Sequence, residues 1–266
     1  MDGCMIAGFH EEPACEVKAV ACLVHGLGEH SGRYQDVTGV LSGAGIAMYS
    51  LDLRGHGLSD GRRGHAAPRS KILADVDMLI RQARDAHPGL PVWLYGHSLG
   101  GNIVLSHRLF GKEPVAGTVA TSPWLILTNP LSPAKVVVMR MLGKMVPALT
   151  IKNGLDPNGL STMFPVVVDY RNDPLVHPYV SMQTGLDAMD MAKIILERAG
   201  EDHGPLLLLH GGADPICSVK GSRQFAEKAG PLCTLRVWPG MRHELHHETV
   251  WPEEAQVIAD FVLAKR

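Results

Sequence analysis

Tyr95-Gly96-His97-Ser98-Leu99-Gly100-Gly101 lies between the apolar run Pro91-Val92-Trp93-Leu94-Tyr95 and Asn102-Ile103-Val104-Leu105-Ser106-His107-Arg108-Leu109, which has helical character. Gly-x-Ser-x-Gly between a buried strand and a helix is the setting of a nucleophile elbow. In so tight a turn the strand and helix approach too closely for side chains beside the serine, which is where Gly96 and Gly100 stand. The start of the helix also aims backbone N–H groups at whatever Ser98 attacks, which favours developing negative charge. An ordinary strand-to-helix turn has the same local pattern, so the pentapeptide needs partners elsewhere in the chain.

A serine hydroxyl is a weak nucleophile and requires a base. With an elbow of this type the acid and then the base follow in chain order. The apolar run Leu206–Leu209 ends on His210-Gly211-Gly212-Ala213-Asp214, and Arg236-Val237-Trp238 ends on Pro239-Gly240-Met241-Arg242-His243. Ser98, Asp214 and His243 therefore each follow the carboxyl end of an expected strand, where open α/β sheets hold their sites. His243 would take the Ser98 proton and return it to the leaving alcohol, while Asp214 fixes the imidazole tautomer and stabilises the imidazolium. The oxyanion would be held by the backbone N–H groups of Leu99 and Leu27, with Gly26 and Gly28 leaving the early loop free to turn inward. Taken singly, Asp214 reads as a turn residue and His243 as a surface histidine. Their combination with the elbow reverses that.

The rest of the 266 residues alternates apolar strands with amphipathic helices. A short edge strand is expected near residues 5–9, and buried strands at 17–24, 46–51, 115–121, 206–209 and 234–238. Ser70 is placed as the cap of a helix running to His87. A closing helix at 252–264 would carry Lys265 and Arg266 at its negative end. This order predicts an α/β fold, a mostly parallel central sheet with helices on both faces. The core is expected at 1–121 and 192–266, with an insertion at 122–191.

The insertion has its own composition. Eight of the eighteen prolines lie between Ser122 and Pro178, and Asp156 is the only acid before Asp169. Within it, Ala134–Val146 reads as a helix whose polar face is confined to Arg140 and Lys144. So wide an apolar arc must pack on two sides or meet an apolar ligand or a membrane. Val137, Met141 and Met145 are the candidates for contact with an acyl chain, since thioethers repack around varied ligands.

A formal charge of −2 gives no electrostatic case for nucleic acid. The glycine-rich stretch Asp52–Gly61 has neither Gly-x-Gly-x-x-Gly nor a Gly-Lys-Ser ending, so no nucleotide cofactor is expected, and no metal. Five cysteines, odd in number and without a Cys-x-x-Cys pair, point to a reducing compartment. Met1-Asp2-Gly3-Cys4 has no signal-peptide character, and no apolar run reaches the roughly 18 residues of a membrane span. The expected location is cytoplasmic, with peripheral membrane or micelle contact through the insertion.

Five ordered blocks resemble the monoacylglycerol lipases and their lysophospholipase-like relatives. They are His25–Tyr34, Asp52–Gly61, Gly96–Gly101, Gly211–Cys217 and Trp238–His246. The resemblance implies an α/β-hydrolase fold with a cap and hydrolysis of monoacylglycerols or other lipid esters. It also implies that residues matching Glu29, Arg33 and His246 hold the glycerol end, and that Cys217 lies near the pocket. From spacing alone, Glu29 and Arg33 read as an i,i+4 surface pair contributing about 0.3–0.5 kcal/mol. Lysophospholipase, carboxylesterase, thioesterase and peptidase chemistry remain open, because a triad defines mechanism and not substrate. A different class is raised by His243-Glu244-Leu245-His246-His247, which matches the zinc-protease pattern His-Glu-x-x-His. That pattern requires a helix and a third ligand, and it leaves the elbow unused.

Overall fold

Strict alternation along the buried strands divides their side chains between two cores. A computed structural model describes residues 3–264, so the expected charges of Lys265 and Arg266 lie outside the described residues. In chain order the elements are β1 (Gly8–Glu11), β2 (Ala19–Val24), α1 (Gln35–Gly43), β3 (Ile46–Leu51), α2 (Arg69–Ala86), β4 (Val92–His97), α3 (Leu99–Phe110) and β5 (Gly117–Thr121). The insertion follows with α4 (Pro133–Met145), β6 (Thr150–Lys152), α5 (Phe164–Asn172), β7 (Tyr179–Ser181) and α6 (Met182–Glu197). The chain closes through β8 (Leu206–Gly211), α7 (Val219–Ala229), β9 (Cys233–Trp238) and α8 (Trp251–Ala264).

The sheet runs β1-β3-β2-β4-β5-β8-β9. All its pairings are parallel except β1 with β3. Val20, Cys22, Val24, Leu94 and Leu208 pack beneath α2, α3, α6 and α7. Ala21, Leu23, Trp93, Tyr95 and Leu209 face α1 and α8. Each such large apolar side chain, fully buried, contributes about 1.5–3 kcal/mol. This is the expected mostly parallel α/β sheet covered on both faces. Among the described residues no helix is long and apolar enough to cross a membrane.

Four local readings differ from expectation. The antiparallel edge strand lies at Gly8–Glu11, slightly beyond the expected residues. Helix α2 starts directly after Pro68, so Ser70 sits inside it and caps nothing. The N–H of Arg69 donates instead to Asp187 Oδ2 of α6 at 3.0 Å, so a distant carboxylate satisfies the helix start. Residue 191 falls in the middle of α6, whose Met191 and Ile195 belong to the sheet's core. Helix α4, capped by Ser132 Oγ accepting from the Lys135 N–H, buries only Met139. It is not sandwiched on two sides.

Glu254 of α8 is wholly buried, and neither carboxylate oxygen has a hydrogen-bond partner. Burial raises its pKa from 4.5 to about 8. The folded chain therefore holds this proton more tightly than the unfolded chain does. Stability from this group is complete below its unfolded value and is lost as pH rises toward about 8. Glu254→Gln should accordingly stabilise the protein more at about pH 9 than at about pH 5, by roughly 2–5 kcal/mol in urea unfolding. An equal difference at the two pH values would show that the carboxyl does not titrate in this way.

Candidate active site

Ser98 joins β4 to α3 with φ 53° and ψ −112°, a conformation costly for any residue but glycine. Backbone hydrogen bonds hold it there. Its N–H donates to Thr121 O at 3.0 Å, and its carbonyl accepts from Asn102 N at 3.0 Å and Trp124 N at 2.9 Å. A Cβ on Gly96 would lie 2.4 Å from Gly100 O, and one on Gly100 only 1.9 Å from Val24 O. The glycines are thus demanded by the approach of α3 to the ends of β2 and β4.

Asp214 follows β8 and is saturated with donors. Its Oδ1 accepts from the N–H groups of Ile216 at 2.8 Å and Cys217 at 3.0 Å. Its Oδ2 accepts from His243 Nδ1 at 2.7 Å and lies 3.2 Å from His210 Nε2. His210 is held in turn by Ser222 Oγ on Nδ1 and by Cys217 O on Nε2. Burial pushes the Asp214 pKa upward, but His243 and the bonds from both histidines outweigh it and keep the carboxyl well below the usual range. Burial lowers the His243 pKa, and the Asp214 carboxylate, helped by Glu244 and Glu29, more than reverses this. With Nδ1 donating to Asp214, Nε2 is the nitrogen left to accept a proton.

Ser98 and His243 share the wall of a cavity of about 960 Å³, at the upper end of the range for small-molecule sites. Leu27 lies in the same wall. A Cβ on Gly26 would stand 3.3 Å from Ser98 Cβ, so the early loop abuts the elbow. Buried His25 fixes that loop from behind, its Nδ1 donating to Gly26 O at 2.7 Å and its Nε2 accepting from Leu53 N at 2.9 Å. Leu99 is the first residue of α3, where backbone N–H groups are unspent. Cys217 is buried in the cavity wall.

The remaining expected residues divide. Glu29 lines the cavity. Its Oε1 accepts from Gly26 N at 2.6 Å and Tyr34 Oη at 2.7 Å. Arg33 lies behind the wall, its guanidinium donating to Glu29 and Glu244. His246 is buried, stacked on Tyr34 at 4.3 Å, with both ring nitrogens unpartnered. Burial, with His247 and His97 beside it, holds its pKa well below the ordinary value, so it is neutral.

Val137, Met141 and Met145 do not meet the cavity. They are 56, 64 and 80% exposed, and the same helix lends Val138, Met139 and Leu142 to the cavity wall, of which only Met139 is buried. The sequence shows how wide the apolar arc is, but not which part of it turns toward the sheet. It also missed Trp124, Tyr170 and Ile216 in the wall. Trp124 follows the end of β5, the one available signal. Glu244 was read only as part of the zinc pattern. That pattern finds no metal geometry, because His243 is bound to Asp214 and Leu245–His247 forms a single 3₁₀ turn. Among the described residues the metal-capable group is instead His97, Glu244 and His246, and Arg33 bonds both Glu244 oxygens.

Sheet order, elbow and site loops together define an α/β-hydrolase. Residues 15–250 match the Hydrolase_4 family, described as serine aminopeptidase, S33, and the chain belongs to that family. It is 34% identical over 93% of its length to a monoacylglycerol lipase of Mycolicibacterium smegmatis, covering 88% of that protein. It is also 34% identical over 94% of its length to an uncharacterized abhydrolase domain-containing protein of Dictyostelium discoideum, of which it spans 27%. The crystal structure of the Paleococcus ferrophilus monoacylglycerol lipase superposes with a TM-score of 0.88 at 32% identity, over 99% of each chain.

The elbow's packing generates a paired test. Gly100→Ala forces a Cβ against the backbone carbonyl of Val24 and should abolish soluble folded protein or lower Tm sharply. Gly39→Ala, in α1 with open space around it, should stabilise by about 0.5–1 kcal/mol. Comparable thermal melts for the two variants would refute the close approach.

Proposed function

We propose that the chain is a serine lipase that hydrolyses monoacylglycerols through Ser98, His243 and Asp214. The reading rests on the Asp214–His243 pair facing the strained Ser98 across one large, mainly apolar cavity. Ser98 Oγ attacks the ester carbonyl as His243 Nε2 takes its proton, and the oxyanion is held by the N–H groups of Leu27 and Leu99. His243 then protonates the departing glycerol oxygen, leaving an acyl-Ser98 ester. Water, deprotonated by His243, releases the fatty acid and restores Ser98. The segment 122–191 acts as a cap, and its Val138, Met139 and Leu142 line the acyl channel. Each buried CH₂ contributes about 0.8 kcal/mol there.

Head-group preference follows from charge. Glu29 and Glu244 both reach the cavity wall, with Arg33 as the guanidinium between them. Carboxylates accept hydrogen bonds from glycerol hydroxyls and repel a phosphodiester. This favours monoacylglycerol over lysophospholipid. The outward stripe of Val137, Met141 and Met145, with Lys144 beside it, supports contact of the cap with a lipid surface.

Ser98→Ala should lower kcat about 10⁶-fold, and a fluorophosphonate should add its mass to Ser98 of the wild type alone. EDTA should have no effect. Retained turnover in the alanine variant, or loss with EDTA, would end this reading. Activity should fall as pH drops through a value above the ordinary 6.5 of histidine, because His243 must be neutral to act and its neighbours hold its proton. A monoacylglycerol cleaved no faster than short p-nitrophenyl esters would make the enzyme a general carboxylesterase.

The two faces of α4 separate in assay. Val138→Ser with Leu142→Ser should slow long-chain esters more than acetate esters in free solution. Val137→Ser, Met141→Ser and Met145→Ser together should leave dissolved short esters unaffected and slow substrate presented in vesicles. Equal effects of the two sets on all substrates would contradict this division.

A further inference from the structure

Arg33 sits where three parts of the site meet, and both terminal nitrogens of its guanidinium are engaged. Nη1 donates to Glu29 Oε2 at 2.6 Å and to Glu244 Oε1 at 2.7 Å, and Nη2 donates to Glu244 Oε2 at 2.7 Å. Its planar face lies over the Tyr170 ring of segment 122–191, 4.8 Å from the centroid, so both terminal nitrogens and one face are engaged. All three charged side chains are less than a tenth exposed. The far oxygen of Glu29 accepts from the Gly26 N–H at 2.6 Å, one residue before the proposed oxyanion donor Leu27. Glu244 immediately follows His243 and also accepts from His247 Nδ1 at 2.8 Å.

We propose that Arg33 is a positioning residue, whose guanidinium holds the oxyanion loop through Glu29 and the catalytic-histidine loop through Glu244 at a fixed separation. This rests on the serine-lipase reading above, and it reassigns Arg33 from substrate contact to internal clamp. The physical case is geometric. A bidentate arginine–carboxylate pair constrains orientation as well as distance. The two loops come from sequence positions 211 apart, and among the described residues no strand pairing joins them. A displacement of about 1 Å between base, nucleophile and oxyanion donor is enough to cost about 100-fold in rate.

The test compares wild type, Arg33→Lys, Arg33→Gln and Glu244→Gln on a soluble p-nitrophenyl ester, at a temperature well below each variant's Tm. Arg33→Gln should lower kcat about 10–100-fold with KM changed less than about threefold, as expected when a transition-state donor is misplaced. Arg33→Lys should recover only part of this, because an ammonium cannot span both carboxylates. Glu244→Gln removes charge with little change in shape and keeps the Arg33–Glu29 pair, so it serves as the folding-safe variant. His243 is faced by Asp214, Glu244, Glu29 and His97. Glu244→Gln should therefore move the acid limb of kcat/KM to lower pH, and Arg33→Gln should move it to higher pH. The limb shifts report charge around His243, whereas loss of kcat at nearly constant KM, only partly rescued by lysine, reports positioning.

Unchanged kcat in all three variants overturns the proposal. So does a rise in KM alone, which would return Arg33 to substrate binding. So does loss of activity that only tracks the folded fraction. If the fluorophosphonate fails to label Ser98 in the wild type, the serine reading itself falls, an outcome visible before any clamp variant is made.

Discussion

The constraint on which the site depends is the approach of the first turn of α3 to the end of β2. Gly100 leaves no room for a single carbon against Val24 O, and Ser98 is bent into positive φ to make the turn. The cost of that backbone conformation, of order 1–3 kcal/mol, is tolerated because Thr121, Trp124 and Asn102 bond to the N–H and carbonyl of Ser98. The same contact has a second consequence. The chain leaving β2 at Val24 becomes the His25–Gly28 loop, so pressing α3 onto Val24 also presses that loop onto Ser98. Nucleophile and proposed oxyanion donor are therefore placed by one packing event.

Polar groups behind the site work by saturation. His25 and His210 each have both ring nitrogens engaged, which fixes their tautomers and leaves them as rigid spacers. Arg33 does the same for two carboxylates. Burial changes the size of this last interaction. An exposed i,i+4 pair contributes about 0.3–0.5 kcal/mol, whereas removing one partner of a buried pair costs about 3–5 kcal/mol. Glu254 is the contrast, a buried carboxyl with no donor at all, held neutral by its surroundings over most of the ordinary pH range.

What was legible in the sequence was whatever depends on near neighbours. Continuous apolar runs at Val20–Val24 and Leu206–Leu209 located buried strands, and glycines beside Ser98 located the elbow. Asp214 and His243 could be found because each follows such a strand, and the structure brings them within 2.7 Å. What was not legible depends on partners distant in sequence. The cap of α2 is Asp187, 118 residues away, so the nearby Ser70 misled. The main partner of Arg33 is Glu244, not only Glu29, and no local spacing connects them. The insertion was recognisable by composition, but α6 runs through its expected boundary because one helix packs on both the insertion and the sheet.

Helix α4 shows how far an apolar pattern carries and where it stops. Its residues were correctly seen as too apolar for one buried face, yet only Met139 is buried. Positions 138 and 142 turn toward the cavity, while 137, 141 and 145 form the adjoining i,i+4 stripe in solvent. A single helix thus separates an apolar interior from water using apolar side chains on both sides. Water solvates the outer stripe poorly, and each large side chain there forgoes about 1.5–3 kcal/mol of burial. In a lipase the arrangement has a direct use. On the proposed reading, the inner positions belong to the acyl channel and the outer stripe to the surface that meets lipid, so one helix serves both.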